Sequence, residues 1–170
     1  LPDHRLMKLA VLSDTHDNIS KLEAALRMMA EADAVLHCGD LCSPFVVKRM
    51  ATGLPDSTPV HIIWGNNEGD IRLICAKAGH HENITLHGDF AALTIDSQSI
   101  ALTHYPHVAR PLAASGFFQL VCYGHDHCAH HSRVDECTLL NPGELLGLKG
   151  ETTFAWFDTS TGAVQFVEVH

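Results

Sequence analysis

The segment LAVLSDTHDN, residues 9–18, runs from four apolar side chains straight into Asp14, Thr15 and His16. A short apolar run bounded by polar turn residues reads as a strand buried on both faces. Open α/β folds bind their ligands just beyond the carboxyl ends of such strands. In extended chain, residues two apart point to the same side, so the Asp14 carboxylate and the His16 imidazole can converge on one ion. The same letters also suit a polar loop with a helix cap, and this stretch alone does not separate the two readings.

Outward from that segment, apolar runs alternate with helical patterns. ISKLEAALRMMAEA places Leu22, Ala25, Leu26 and Met29 at helical spacing with charges between them. AVLHCGD is a second strand, and SPFVVKRMA is a helix with Ser43 as cap and Pro44 at its first position. VHIIWGNNE supplies a third strand, followed by a helix over residues 70–78. Strand and helix in alternation predict parallel pairing through crossovers. From ITLHGDF onward the pattern changes to short strands joined at Gly88-Asp89 and Asp96-Ser97, which predicts a second sheet. PHVARPLAASG reads as one more helix, and FQLVCYGHDH, HSRVD, TLLNPG, TTFAWFD and AVQFVEV read mainly as strands. The expected class is α/β, with two packed sheets flanked by helices.

A chain of 170 residues suits one domain over 1–170, with a full core. Met7 immediately precedes the first strand, and residues 1–6, LPDHRL, read as an appended remnant. Asp and Glu number 20 against 11 Lys and Arg, and the resulting formal charge of -9 leaves no basic stripe for broad nucleic-acid binding. An anionic substrate would need local positive charge, which a bound metal can supply. The 6 cysteines form no CxxC pair, so they read as reduced thiols. Nothing resembles a leader or a membrane span, which makes the cytoplasm the expected location. Composition leaves a homo-oligomer open.

Strand end after strand end carries the same chemistry. SDTHDN offers Asp14 and His16, HCGDL offers Asp40, WGNNE offers Asn66, LTHYP offers His104, and YGHDH offers His125 and His127. Carboxylates, an amide oxygen and imidazoles make a mixed nitrogen and oxygen shell suited to Mn, Fe, Co, Ni or Zn, without thiolates that would close a structural zinc site. Seven such positions suffice for two metals. Two ions about 3.5–4 Å apart need a bridging carboxylate. Asp40, in its Gly-Asp turn, is the natural bridge.

These motifs, D-x-H, GD, GN, H and GHxH in that order, resemble the calcineurin-like metallophosphoesterase superfamily. Residues 141–144, NPGE, are similar to the NPGS segment of its small bacterial and archaeal phosphodiesterase branch. The resemblance implies a four-layered fold, a two-sheet β-sandwich with helices on both outer faces. It also implies that Asp14, His16, Asp40 and His127 hold one metal and that Asp40, Asn66, His104 and His125 hold the other, with Mn the first expectation. The implied activity is hydrolysis of a small phosphate ester, a diester rather than a monoester, by a metal-bridging hydroxide. The rival on the same fold is a non-catalytic interaction scaffold like the retromer scaffold subunit.

Two positions depart from the family pattern. The residue after the metal-binding asparagine is often His or Cys, and here it is Asn67, whose amide can hydrogen-bond a phosphoryl oxygen but cannot act as an acid near neutral pH. The fourth-motif histidine is usually followed by Gly-His, whereas this chain reads Tyr105-Pro106-His107. Asn67 and His107 are therefore the catalytic candidates. His107 could supply the acid, or replace His104 as ligand. His37 reads either as core packing beneath Asp40 or as a donor that orients it.

Overall fold

The computed structural model describes residues 7–170, so the reading of residues 1–6 as a remnant lies outside the described residues. β1 (Lys8–Leu12) is buried on both faces, with Leu9 and Val11 turned to one core and Ala10 and Leu12 to another. Asn18 caps α1 (Ile19–Met28) by accepting from the Lys21 backbone N–H, and Leu22, Ala25 and Leu26 form the buried stripe. The chain then runs through β2 (Ala34–His37), α2 (Pro44–Gly53), β3 (Val60–Ile62), α3 (Ile71–Ala78) and β4 (Ile84–Leu86). Asp70 caps α3 by accepting from Leu73 N at 2.9 Å. Ser43 occupies the cap position of α2, yet its hydroxyl makes no capping bond; the loop is held instead by Ser43 N donating to Asp17 Oδ1 at 3.0 Å.

β5 (Phe90–Ile95) and β6 (Gln98–Thr103) form a hairpin across Asp96 and Ser97, both with positive φ. α4 (Pro106–Ala114), β7 (Leu120–Cys122), β8 (His130–Val134), β9 (Cys137–Asn141), β10 (Thr153–Asp158) and β11 (Val164–Glu168) complete the chain. One sheet has the order β11-β10-β1-β2-β3-β4 and the other β5-β6-β7-β9-β8. β1 to β4 pair in parallel, and β10 closes against β1 antiparallel.

Four layers result, as the expected class requires. Leu9, Val11, Leu36 and Ile63 meet Ile100, Leu102, Leu120 and Leu140 between the sheets. Helices α1, α2 and α3 cover the outer face of the first sheet, and α4 covers the second through Ala109 and Ala113. The sequence pattern assigns residues 84–86 to the second sheet. In the structure β4 is the edge of the first, parallel to β3, because α3 returns the chain as one more crossover. Among the described residues no helix is long and apolar enough to cross a membrane.

Phe154, on β10, is fully buried in the cluster that joins this sheet to α1 and α2, with its ring 5.6 Å from that of Trp156. Phe154→Ala should cost about 3–5 kcal/mol through the cavity it leaves. Urea unfolding checks this, and a loss below about 1 kcal/mol would mean the layers close around the gap.

Candidate metal centre

Beyond the ends of β1 and β2 the two chains stay paired, with Asp14 N donating to Gly39 O and His16 N to Asp40 O, both at 3.0 Å. The loops that do this are strained. Asp14, His16, Asp40, His125 and His127 all have positive φ, a region sparsely populated by residues with a side chain and concentrated at functional sites. Gly39, at φ +97°, packs so closely on Gly65 N and His104 Nδ1 that a Cβ would collide with both. A Cβ on Gly65 would strike the Asp40 carboxylate. These two glycines let the β2 and β3 loops touch backbone to backbone.

The folded chain brings the expected ligands together at one end of the sandwich. Asp14 and Asp40 are buried, at 0% and 1% exposure. The two oxygens of Asp40 face different histidines: Oδ2 lies 3.3 Å from His16 Nε2 and Oδ1 lies 3.5 Å from His104 Nε2. Asp14 Oδ1 lies 3.2 Å from His127 Nε2 and 3.8 Å from His16 Nε2. Two triads are compact enough to share an ion, one of Asp14, His16 and His127 and one of Asp14, Asp40 and His104. Asp14 belongs to both. Asn66 Oδ1 joins the second group, 3.1 Å from His104 Nε2 and 2.8 Å from His125 Nδ1.

The other two candidates sit differently. Asn67 donates to Asp40 twice, from its backbone N to Oδ1 at 2.8 Å and from Nδ2 to Oδ2 at 2.9 Å, so its amide steadies the central carboxylate. His107, in the first turn of α4, has its ring 5.4 Å from that of Tyr105 and belongs to neither triad, while His104 is buried among the candidate ligands. His37 is fully buried and braces the loops, with Nε2 2.8 Å from Thr15 Oγ1 and Nδ1 accepting from Gly39 N at 3.1 Å. It acts on the backbone beside Asp40.

Two glutamates were not singled out by the sequence. Glu68 accepts from the backbone N–H groups of Asp40, Leu41, Cys42 and Gly65 at 2.9, 3.4, 3.0 and 2.9 Å, which ties the β2 and β3 loops through one carboxylate. Its signal lies in WGNNE, an acid three residues after a glycine at a strand end. Glu144 is buried, with Oε2 2.6 Å from His127 Nδ1 and Oε1 accepting from Lys149 N and Gly150 N. Its signal is an acid in place of the serine of the NPGS segment.

Electrostatics follows from this crowding. Burial would raise Asp14 and Asp40, but hydrogen bonding and charge from the surrounding histidines outweigh it and hold both carboxyls below their ordinary values. Asp14 and Asp40 push His16 up to about 9, and Asp40 raises His104 despite the penalty of burial. Burial and nearby carboxylates push the Cys42 thiol up to about 12, so Cys42 remains a thiol 3.5 Å from His16 Nδ1.

The donor set fits divalent ions. His16 Nε2 is buried without a hydrogen-bond partner, beside two carboxylates. His104 and His127 each engage Nδ1, with Cys38 O at 2.8 Å and with Glu144, and turn Nε2 inward. That is how a ligating imidazole has its tautomer and orientation fixed.

Glu144→Gln keeps an acceptor for the Lys149 and Gly150 N–H groups but removes the charge behind His127. Metal affinity should fall about 10–100-fold, read by Mn titration under electron paramagnetic resonance. An unchanged affinity would mean that Glu144 serves only to pin its loop.

Comparison with known proteins follows the same geometry. A family model for the calcineurin-like phosphoesterase superfamily domain matches residues 7–162. Phosphodiesterase MJ0936 of Methanocaldococcus jannaschii is 33% identical over 162 residues, covering 90% of this chain and 93% of that protein. A structure described as a novel archaeal phosphodiesterase superposes with a TM-score of 0.86 at 29% identity, covering 95% of this chain and 99% of that one. Vps29 of Chaetomium thermophilum superposes with a TM-score of 0.68 at 14% identity, covering 95% of this chain and 93% of that one, a likeness of fold. With the family model spanning the motifs from the first strand through β10, the chain belongs to the calcineurin-like phosphoesterase superfamily.

Proposed function

We propose that this protein is a metal-dependent phosphodiesterase acting on a small diester, and that the whole chain serves as one catalytic domain. Asp14, His16, Asp40 and His127 would hold one ion, and Asp40, Asn66, His104 and His125 the other. The observation that carries this reading is the convergence of the buried His16 Nε2, which makes no well-directed hydrogen bond, on the carboxylates of Asp14 and Asp40. A purely structural cluster would have satisfied that nitrogen. The division of Asp40 between His16 and His104 favours it as the bridge. Mn is the first choice among ions that suit a mixed nitrogen and oxygen shell.

When bound, two divalent ions supply Lewis acidity and an acidified water at neutral pH. The chain's own contribution is placement. His16 and His104 give up protons as ligands, which couples metal affinity to pH. Asn67 clamps both oxygens of Asp40, and Glu68 fixes the two loops that carry Asp40 and Asn66. The Asp40 clamp uses the Nδ2 of an amide that in any case cannot protonate a leaving group.

Turnover of bis(p-nitrophenyl) phosphate with added Mn tests the reading. Chelator should abolish it reversibly, Mn, Co or Ni should restore it, and Mg alone should restore less. Asp40→Ala should remove activity and lower the metal content below that of any other single ligand variant. Full activity in chelator would dispose of the metal mechanism, and two tightly held ions in Asp40→Ala would remove the bridge. A scaffold of the kind that shares this fold would hydrolyse nothing under any of these conditions.

Because position 67 offers no acid, rates should climb steeply as leaving-group pKa falls. Asn67→His should flatten that dependence, and because it also gives up the Nδ2 bond to Asp40, its gain on alkyl leaving groups should fall short of the about 10²–10⁴-fold that a well-placed acid supplies. The measurement is a leaving-group series for both proteins at matched metal occupancy. Equal slopes would show that protonation is handled elsewhere, with His107 the next residue to vary.

A further inference from the structure

Beside the ligand cluster the surface opens into an apolar cavity of about 390 Å³. Its connection to the site is covalent as well as spatial. Gly65 in its lining precedes Asn66, and Thr103 and Tyr105 flank His104. The Tyr105 ring stands edge-on to His104 and His125, with centroids 5.2 and 5.0 Å away, so one aromatic side chain borders both the ligands and the cavity. The far wall is apolar and open, with Phe90 42% exposed and Val108 37% exposed.

Large apolar side chains left in contact with water next to a polar reaction centre are the usual make-up of a ligand pocket. Beside the hydroxyl-bearing Thr103 and Tyr105, the charged residue of the lining is Asp89, on the turn before β5. Its carboxylate disfavours a second anionic group in the cavity and accepts from an N–H or O–H donor. Composition, size and continuity with the ligands therefore agree on one occupant.

We infer that this cavity receives a neutral planar aromatic arm of the phosphoester, of phenyl or nucleobase size, and that Tyr105, Phe90 and Val108 set this preference. The inference rests on the proposed phosphodiesterase reading, because it is the phosphate on the ions that would deliver the arm to the cavity. It separates the substrate class from alkyl esters and from polyphosphates. Aromatic walls contact an aromatic guest in offset or edge-on geometry. A further phosphate would meet the Asp89 carboxylate.

The test uses the Mn-loaded full chain and two probes that share one phosphonate head, phenylphosphonate and methylphosphonate, with affinities read by calorimetry. Phenylphosphonate should bind at least about tenfold more tightly, the amount expected for burying part of one ring. Val108→Trp fills the cavity from an exposed position on α4, and Phe90→Ala removes a wall from the edge of β5. Each should bring the ratio of the two affinities close to one and leave methylphosphonate binding unchanged. A wild-type ratio near one, or a preference that persists in both variants, overturns the pocket while methylphosphonate binding keeps the metal site. Failure of both phosphonates to bind the Mn-loaded protein overturns the phosphodiesterase reading and the pocket with it.

Discussion

Two carboxylates buried side by side at the ends of neighbouring parallel strands set the terms for this fold. Asp14 and Asp40 are almost wholly withdrawn from water, and the cost of burying one unpaired ion is several kcal/mol. The molecule answers with imidazoles from three loops, His16 beside Asp14 itself, His104 after β6 and His127 after β7, and with backbone and side-chain donors from Asn67. Those donors must reach a common point, and that requirement fixes the loops. Asp40 can be approached from the β3 loop because Gly39 and Gly65 have no side chains to keep the chains apart. The left-handed φ of Asp14, Asp40, His125 and His127 is the local strain accepted in return.

Most of this was legible because the two kinds of information it needs are local. Apolar runs and helical spacing located every strand and helix from β1 through β7, and each candidate ligand stands in the loop after one of those strands. What sequence spacing could not carry was long-range pairing. Nothing in TTFAWFD says that β10 pairs with β1, since an antiparallel partner is chosen by burial on both faces and by the free edge available. The placement of β4 failed for a related reason: three residues followed by a turn look alike in either sheet, and only the α3 crossover assigns them to the first.

The supporting residues were harder to read than the candidate ligands. Glu68 and Glu144 resemble ordinary solvated acids in the sequence, because their partners are backbone N–H groups and a histidine nitrogen that become neighbours only after folding. Asn67 attracted notice as a missing acid and proved to be the clamp on Asp40. Ser43 has the sequence of a cap, but its hydroxyl makes no capping bond, and the loop is fixed through its backbone N–H donating to Asp17. In each case residue type narrowed the possibilities, and tertiary contact chose among them.

The position of β1 inside its sheet has a consequence for how the chain is made. β1 is synthesised first among the strands described and lies between β2 and β10, so one of its edges stays open until Thr153–Asp158 has left the ribosome. Until then the strand that carries Asp14 offers unpaired N–H and C=O groups to any neighbouring chain. Residues His125, His127 and Glu144 also emerge late, so the full cluster at that end of the sheet cannot assemble on a nascent chain that lacks them. An apolar strand edge therefore stays unpaired through most of synthesis, and the His127 side of the candidate metal centre forms only after β7 and the Glu144 loop have been made.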